Sequence, residues 1–260
     1  MSSLGSLQQL AARNGLNLFG LVDAARFDRA LPPEQRSVSV MRGCGTILVL
    51  GTAGRSLDFA LQRHAGAAPP ARDARATERL VEGSVGVVAD ALRAQQVCFQ
   101  RVGPRDGRLP LVMLGEAAGF GVVSPVSGML LHPDYGPWLR VRAALLLEGA
   151  PFGAPAAIDQ GAGFQPCVTC SQPCVPACPP RALDGAGGSD RLRCAEHRSG
   201  GGCTAGCYSR MACPVGAEHA DRPEAPVHAH SAEQAALQRR FGLGWWRFVP
   251  RALRGGARLQ

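Results

Sequence analysis

Eight of the ten cysteines are crowded between Cys167 and Cys213, and they constrain this chain more than any other feature. They fall in two runs. The first is Cys167-x2-Cys170-x3-Cys174-x3-Cys178, followed directly by Pro179. The second is Cys194-x8-Cys203-x3-Cys207-x5-Cys213, followed by Pro214. The chain holds 33 Gly and 20 Pro but few aromatics, which predicts a loop-rich segment, placed around these cysteines.

The N-terminus lacks a basic stretch followed by an apolar run, and no apolar stretch approaches the length of a membrane span. A cytoplasmic protein is expected. In that compartment thiols stay reduced, so clustered cysteines read as metal ligands rather than disulfides. Three closely spaced cysteines plus a Cys-Pro is the ligand pattern of bacterial two-cluster ferredoxins, in which the Cys-Pro thiolate serves the other cluster. A tight loop can wrap three corners of a cube; the fourth comes from elsewhere, and the proline turns the chain away. Carried over, Cys167, Cys170, Cys174 and Cys213 hold one [4Fe–4S] cluster, and Cys178, Cys194, Cys203 and Cys207 hold the second. Zinc is the competing metal, but its sites typically show isolated C-x2-C pairs with longer spacers. The first run has x3 where x2 is usual, as if Pro173 were inserted, and Cys194 lies well ahead of its partners.

Upstream, apolar periodicity predicts helices over 4–14, 55–64, 74–95 and 110–118, with strands at 16–22, 46–53, 97–102 and 138–147. Short apolar runs occur at Val122–Val123 and 129–131, while 65–72 and 150–166 read as loop and linker. Helices alternating with strands predict an α+β domain of layered α/β type. The expected organisation is a cofactor-binding domain with linker over 1–160, a double-cluster ferredoxin-type module over 161–222 and a basic tail over 223–260.

All 28 basic residues are arginine, which excludes P-loop and Schiff-base lysine chemistry. The net charge of +8 counts the cysteines as neutral; ligand thiolates would make the centre locally negative. No nucleic-acid-binding motif is present, so a nucleic-acid partner is not expected.

Two further stretches carry a resemblance. AGFG at 118–121 with MLLHPDYGPW at 129–138, and ACPPRAL at 177–183, resemble segments of epoxyqueuosine reductases and the related cobalamin-dependent reductive dehalogenases. The resemblance implies a nitroreductase-like N-terminal domain able to hold cobalamin, with two clusters feeding it electrons from a flavodoxin, a ferredoxin or a reductase. It implies that Gly128, His132, Tyr135 and Trp138 lie beside the corrinoid, and that Asp106 is the candidate for the family's catalytic acid. The chain departs from the pattern in SPVSG at 124–128, in PRDGRLP at 104–110, and in lacking the C-terminal helical repeats. The alternative is a ferredoxin-like electron carrier with no substrate of its own.

Other residues admit two readings. Cys44 and Cys98 suit small apolar filler or reactive thiols. His132 suits a turn histidine as well as a cofactor neighbour, and Tyr135 and Trp138 suit packing as well as stacking. His197 and His219 suit surface positions or outer-shell donors to sulfur. The arginines around the cysteines, and Trp245, Trp246 and Phe248 in the tail, suit either docking or solvated packing.

Overall fold

The computed structural model describes residues 4–65, 74–104, 106–155, 163–203 and 206–220. The expected basic tail, with its aromatics, lies outside the described residues, as does most of the loop at 65–72.

The first part runs α1 (Leu4–Arg13), β1 (Leu18–Asp23), α2 (Ala24–Asp28), a 3-10 turn, α3 (Ser37–Val40), β2 (Cys44–Ala53), α4 (Ser56–Ala65), α5 (Ala74–Ala94), β3 (Phe99–Val102), α6 (Leu111–Ala117), β4 (Val122–Val123), β5 (Leu130–Leu131) and β6 (Leu139–Glu148). Strands order as β1-β2-β6-β3, every pair antiparallel, while β4 and β5 form a separate small hairpin. The fold is thus mixed α/β, built on an antiparallel sheet.

The two central strands explain the apolar runs. β2 and β6 pair Leu48 with Leu145 and Leu50 with Ala143, and those four face α1 and α5 through Leu7, Ala11, Val85, Val88 and Leu92. The alternate pairs, Ile47 with Leu146 and Val49 with Ala144, face the other way, toward Phe27, Leu114, Phe120 and Leu130. Side chains alternate faces along a strand, so both faces must be apolar when both are covered. Arg140 is exposed, but Arg142 is half-buried and donates from Nε to Thr52 Oγ1 at 2.9 Å.

Helices α2 and α3 have no periodic signal in the sequence. Asp23 caps α2 by accepting from the Arg26 N–H. Asp28, 7% exposed, accepts from Ser37 N–H at 2.7 Å and Ser37 Oγ at 2.9 Å, tying the two short helices together. Cys44 is buried, as filler should be. Cys98 is not core filler: it is exposed, one residue ahead of β3.

Beyond β6 the described residues form mainly turns, with α7 (Arg191–Ser199), α8 (Tyr208–Met211) and a 3-10 turn at Ala217–His219. Among the described residues, no helix is long and apolar enough to cross a membrane.

Candidate metal centre

The cysteine loops are shaped by local hydrogen bonds, and among their cysteines Cys178 is buried, Cys207 exposed and the rest half-buried. Gln172 N–H donates to Cys170 Sγ at 3.4 Å, and Ala182 N–H donates to Cys178 Sγ at 3.3 Å. Asp190 caps α7 by accepting from Arg193 N–H, which begins the helix that carries Cys194. Three non-glycine residues of these loops, Gln172, Arg181 and Cys203, sit in the left-handed region, with φ of 57°, 50° and 53°. Such positions cost about 1–3 kcal/mol each and persist where the surroundings over-determine them.

The eight thiols gather in two fours. Burial pushes the Cys174 thiol up, and the neighbouring Cys213, Cys167 and Cys170 push it further. Cys213 is raised by burial and then by Cys167 and Cys170. In the other four, burial raises Cys194; Arg198 opposes the shift, while Cys207, Cys178 and Cys203 add to it. Cys203 is raised by burial, then by Cys207 and Cys178. The thiols that raise Cys174 and Cys213 thus come from the set Cys167, Cys170, Cys174 and Cys213, and those that raise Cys194 and Cys203 from the set Cys178, Cys203 and Cys207.

The donor set is sulfur alone, which suits soft thiolate sites and iron–sulfur clusters. Among the described residues, no three His, Cys, Asp or Glu side chains converge closely enough to hold a single metal ion. The thiols are gathered but not closed on one point. A metal entering either group must displace the protons that burial retains.

The first group lies against the sheet-bearing part of the chain. Ser124, 2% exposed, accepts from Val126 and Ser127 N–H through Oγ at 3.2 and 3.0 Å, and lies 3.3 Å from Cys167 Sγ. With its oxygen so engaged, the hydroxyl proton is free to point at the sulfur. The segment after Cys213 packs on the turn at 132–136.

Of the four residues named as corrinoid neighbours, His132, Tyr135 and Trp138 share one turn against the cysteine segment, and Gly128 meets that segment at another point. Gly128 sits in a left-handed turn facing Gly187. The Tyr135 ring stands 4.7 Å from His132 and 4.8 Å from His219, edge-on to the latter. His132 Nδ1 accepts from Asp134 and Tyr135 N–H at 3.0 and 3.3 Å, so it is a turn-forming histidine. Trp138 is 7% exposed, and its buried indole N–H meets no acceptor among the described residues. Tyr135 and His132 are half-buried and Trp138 is buried, so their rings are engaged in packing at this turn. Asp106 is exposed in the turn after β3, where Oδ2 accepts from Gly103 N–H at 2.6 Å. A shallow groove of about 470 Å³ is lined by Ala12, Ser56, Phe59, Gln62 and Arg63, none of them a predicted site residue.

Solved structures share this arrangement of elements. An epoxyqueuosine reductase from Bacillus subtilis superposes with a TM-score of 0.58 at 17% identity, covering 86% of this chain and 68% of its own. One from Streptococcus thermophilus gives 0.58 at 14%, covering 83% and 66%. The fold is that of the epoxyqueuosine reductases. A catabolic reductive dehalogenase in complex with 3-bromo-4-hydroxybenzoic acid matches at 0.55 and 16%, covering 89% of this chain but only 36% of its own. No protein-family model and no curated protein sequence matches the chain. At these identities the likeness is one of fold. A coverage of 86% of this chain is more than the length up to the end of β6.

Proposed function

We propose that this chain is a redox protein that carries two [4Fe–4S] clusters in a ferredoxin-type module and passes single electrons toward a cofactor at its N-terminal domain. The observation that supports it is the gathering of eight thiols into two groups of four, with each proline-flanked cysteine crossing to the other run. When bound, the clusters supply one-electron transfer. The chain's own residues supply soft ligands, N–H and O–H donors to sulfur, and a packed seam that holds the first group against the sheet domain.

The class of electron acceptor is a corrinoid by analogy with its fold relatives. One of them is described in terms of B12-dependent dehalogenation, another in complex with an epoxyqueuosine-modified tRNA stem loop. The seam at Gly128–Trp138 would have to open to seat such a ring, so the acceptor site is argued separately from the clusters. Asp106 stays a candidate acid on its exposed turn. The second group, with Cys207 exposed, is the natural entry for electrons from a flavodoxin, a ferredoxin or a reductase. A carrier with no substrate of its own is less favoured, because the shared fold is that of reductases with a full sheet domain.

Anaerobic purification with iron and cobalt analysis, followed by cobalamin titration, tests the reading. About eight iron per chain is expected. A shift in the cobalamin spectrum would place a corrinoid here. Colourless protein, or zinc in place of iron, would end the proposal.

A further inference from the structure

The two groups of thiols have unlike electrostatic surroundings. From Gly163 to Ala177, and again from Ala212 to Ala217, no residue carries a charge apart from the cysteines themselves. The loops that carry the first group's cysteines are therefore uncharged, and one hydroxyl, Ser124 Oγ, lies 3.3 Å from Cys167 Sγ. Across its seam lie His132 and His219, with Asp134 and Glu218 on the solvent side, 79% and 70% exposed, while Arg210, its Nε buried, accepts from the Cys213 N–H through its carbonyl at 3.2 Å on the segment that joins the two groups.

The second group is bordered by arginines. Arg198 follows Cys194 by four residues on α7 and so shares its face of the helix. Its Nε is buried, so the guanidinium stem turns inward rather than out to water. The same residue opposes the rise of both the Cys194 and the Cys203 thiol, which places its charge within reach of two ligands on different elements. Arg193 donates to the Arg181 carbonyl at 3.2 Å, and Arg181 in turn donates its N–H to the Cys178 carbonyl at 2.9 Å, so both border a third ligand. Of the nearby acids, Asp190 caps α7 and pairs with Arg193 at 3.5 Å, Asp184 accepts from Ala186 and Gly188 N–H, and Glu196 lies on α7 itself.

Resting on the two-cluster reading above, we infer that Arg198 holds the second cluster at a higher reduction potential than the first, so that the first electron to enter this protein resides on the second cluster. Each cluster takes up one electron with no bond made or broken, and its charge becomes more negative by one. A cation close to the ligands stabilises that added charge; an uncharged loop does not. A single hydroxyl donor on the first group is a smaller effect than a half-buried charge. Arg198 acts through the ligands and does not touch a substrate. It is a positioning charge that sets where the electron waits.

The test is an EPR-monitored redox titration of the full-length, cluster-loaded chain, with dithionite as the electron source. Two waves are expected in the unaltered protein. The double variant Cys203→Ala, Cys207→Ala, which cannot hold the second cluster, should keep only the lower wave. Arg198→Gln should move the upper wave down by on the order of tenfold in its reduction equilibrium, about 59 mV for one electron. Arg198→Lys should restore most of that shift, and Ser124→Ala should move only the lower wave. A single coincident wave, an upper wave surviving in the double variant, or an Arg198→Gln shift confined to the lower wave overturns the inference. A chain that takes up no iron overturns the two-cluster reading itself. Eight iron with equal potentials overturns only this inference. Should Arg198→Gln fail to fold, the wave order in the unaltered chain and the double variant still decides.

Discussion

Gly136 and Gly216 meet across the seam between the sheet and the cysteine segment. A side-chain carbon on Gly136 would strike the Val215 carbonyl, and one on Gly216 would strike the Tyr135 backbone. Both are in the left-handed region, at φ 53° and 63°. The two turns thus lie backbone on backbone, two to three residues past Cys213, and this contact holds the segment after Cys213 against the sheet domain.

Gly136→Ala and Gly216→Ala are each expected to destabilise the protein by about 2–4 kcal/mol, combining left-handed strain with a backbone clash. Gly149→Ala is the control, since Gly149 has φ 61° but nothing within 4 Å; it should cost about 1–2 kcal/mol. Gly83, exposed on α5 with no neighbour in reach, should gain about 0.5–1 kcal/mol on conversion to Ala. Denaturant unfolding of anaerobic protein measures all four.

Crossing of the ligands is open to a pairwise test. Cys178→Ser with Cys203→Ser removes two ligands of one group, so iron should fall from about eight to about four per chain. Cys174→Ser with Cys178→Ser removes neighbours in sequence but one ligand from each group, and both clusters should suffer. The reverse pattern would mean that each run holds its own cluster.

His132 is expected to titrate below 6.5. Burial lowers it, the nearby Asp134 opposes that shift, and His219 adds to it. The unfolded chain then binds this proton at a higher pH than the folded one. Stability should fall as pH drops below about 6.5 and through the folded value. Histidine NMR on the oxidised protein gives the folded value directly, and His132→Gln should weaken the acid dependence. A folded value above 6.5 would contradict the burial argument.

Cys98 and Cys44 should differ sharply toward iodoacetamide. Cys98 is exposed. Cys44 is buried, burial raises its thiol, and its Sγ lies 3.7 Å from the Thr46 carbonyl. Peptide mapping of the loaded protein should show Cys98 alkylated first and Cys44 on the order of a hundredfold more slowly.

Much of this was written in one dimension. The apolar stretch through Thr46–Leu50 and the one at Ala143–Leu147 announce strands covered on both faces, and the helical spacing of Leu80, Val81, Val85, Val88 and Leu92 announces α5, because those patterns are local consequences of periodicity. Cysteine spacing likewise carries the two-cluster proposal, since the reach of a short loop around a cube is a local matter. Three-dimensional packing decided the rest. The insertion of β6 between β2 and β3, the capture of Tyr135 between His132 and His219, and the meeting of Gly136 with Gly216 all join residues far apart in the chain. No local preference encodes such meetings; they exist only once the sheet has formed and the cysteine loops have folded back onto it.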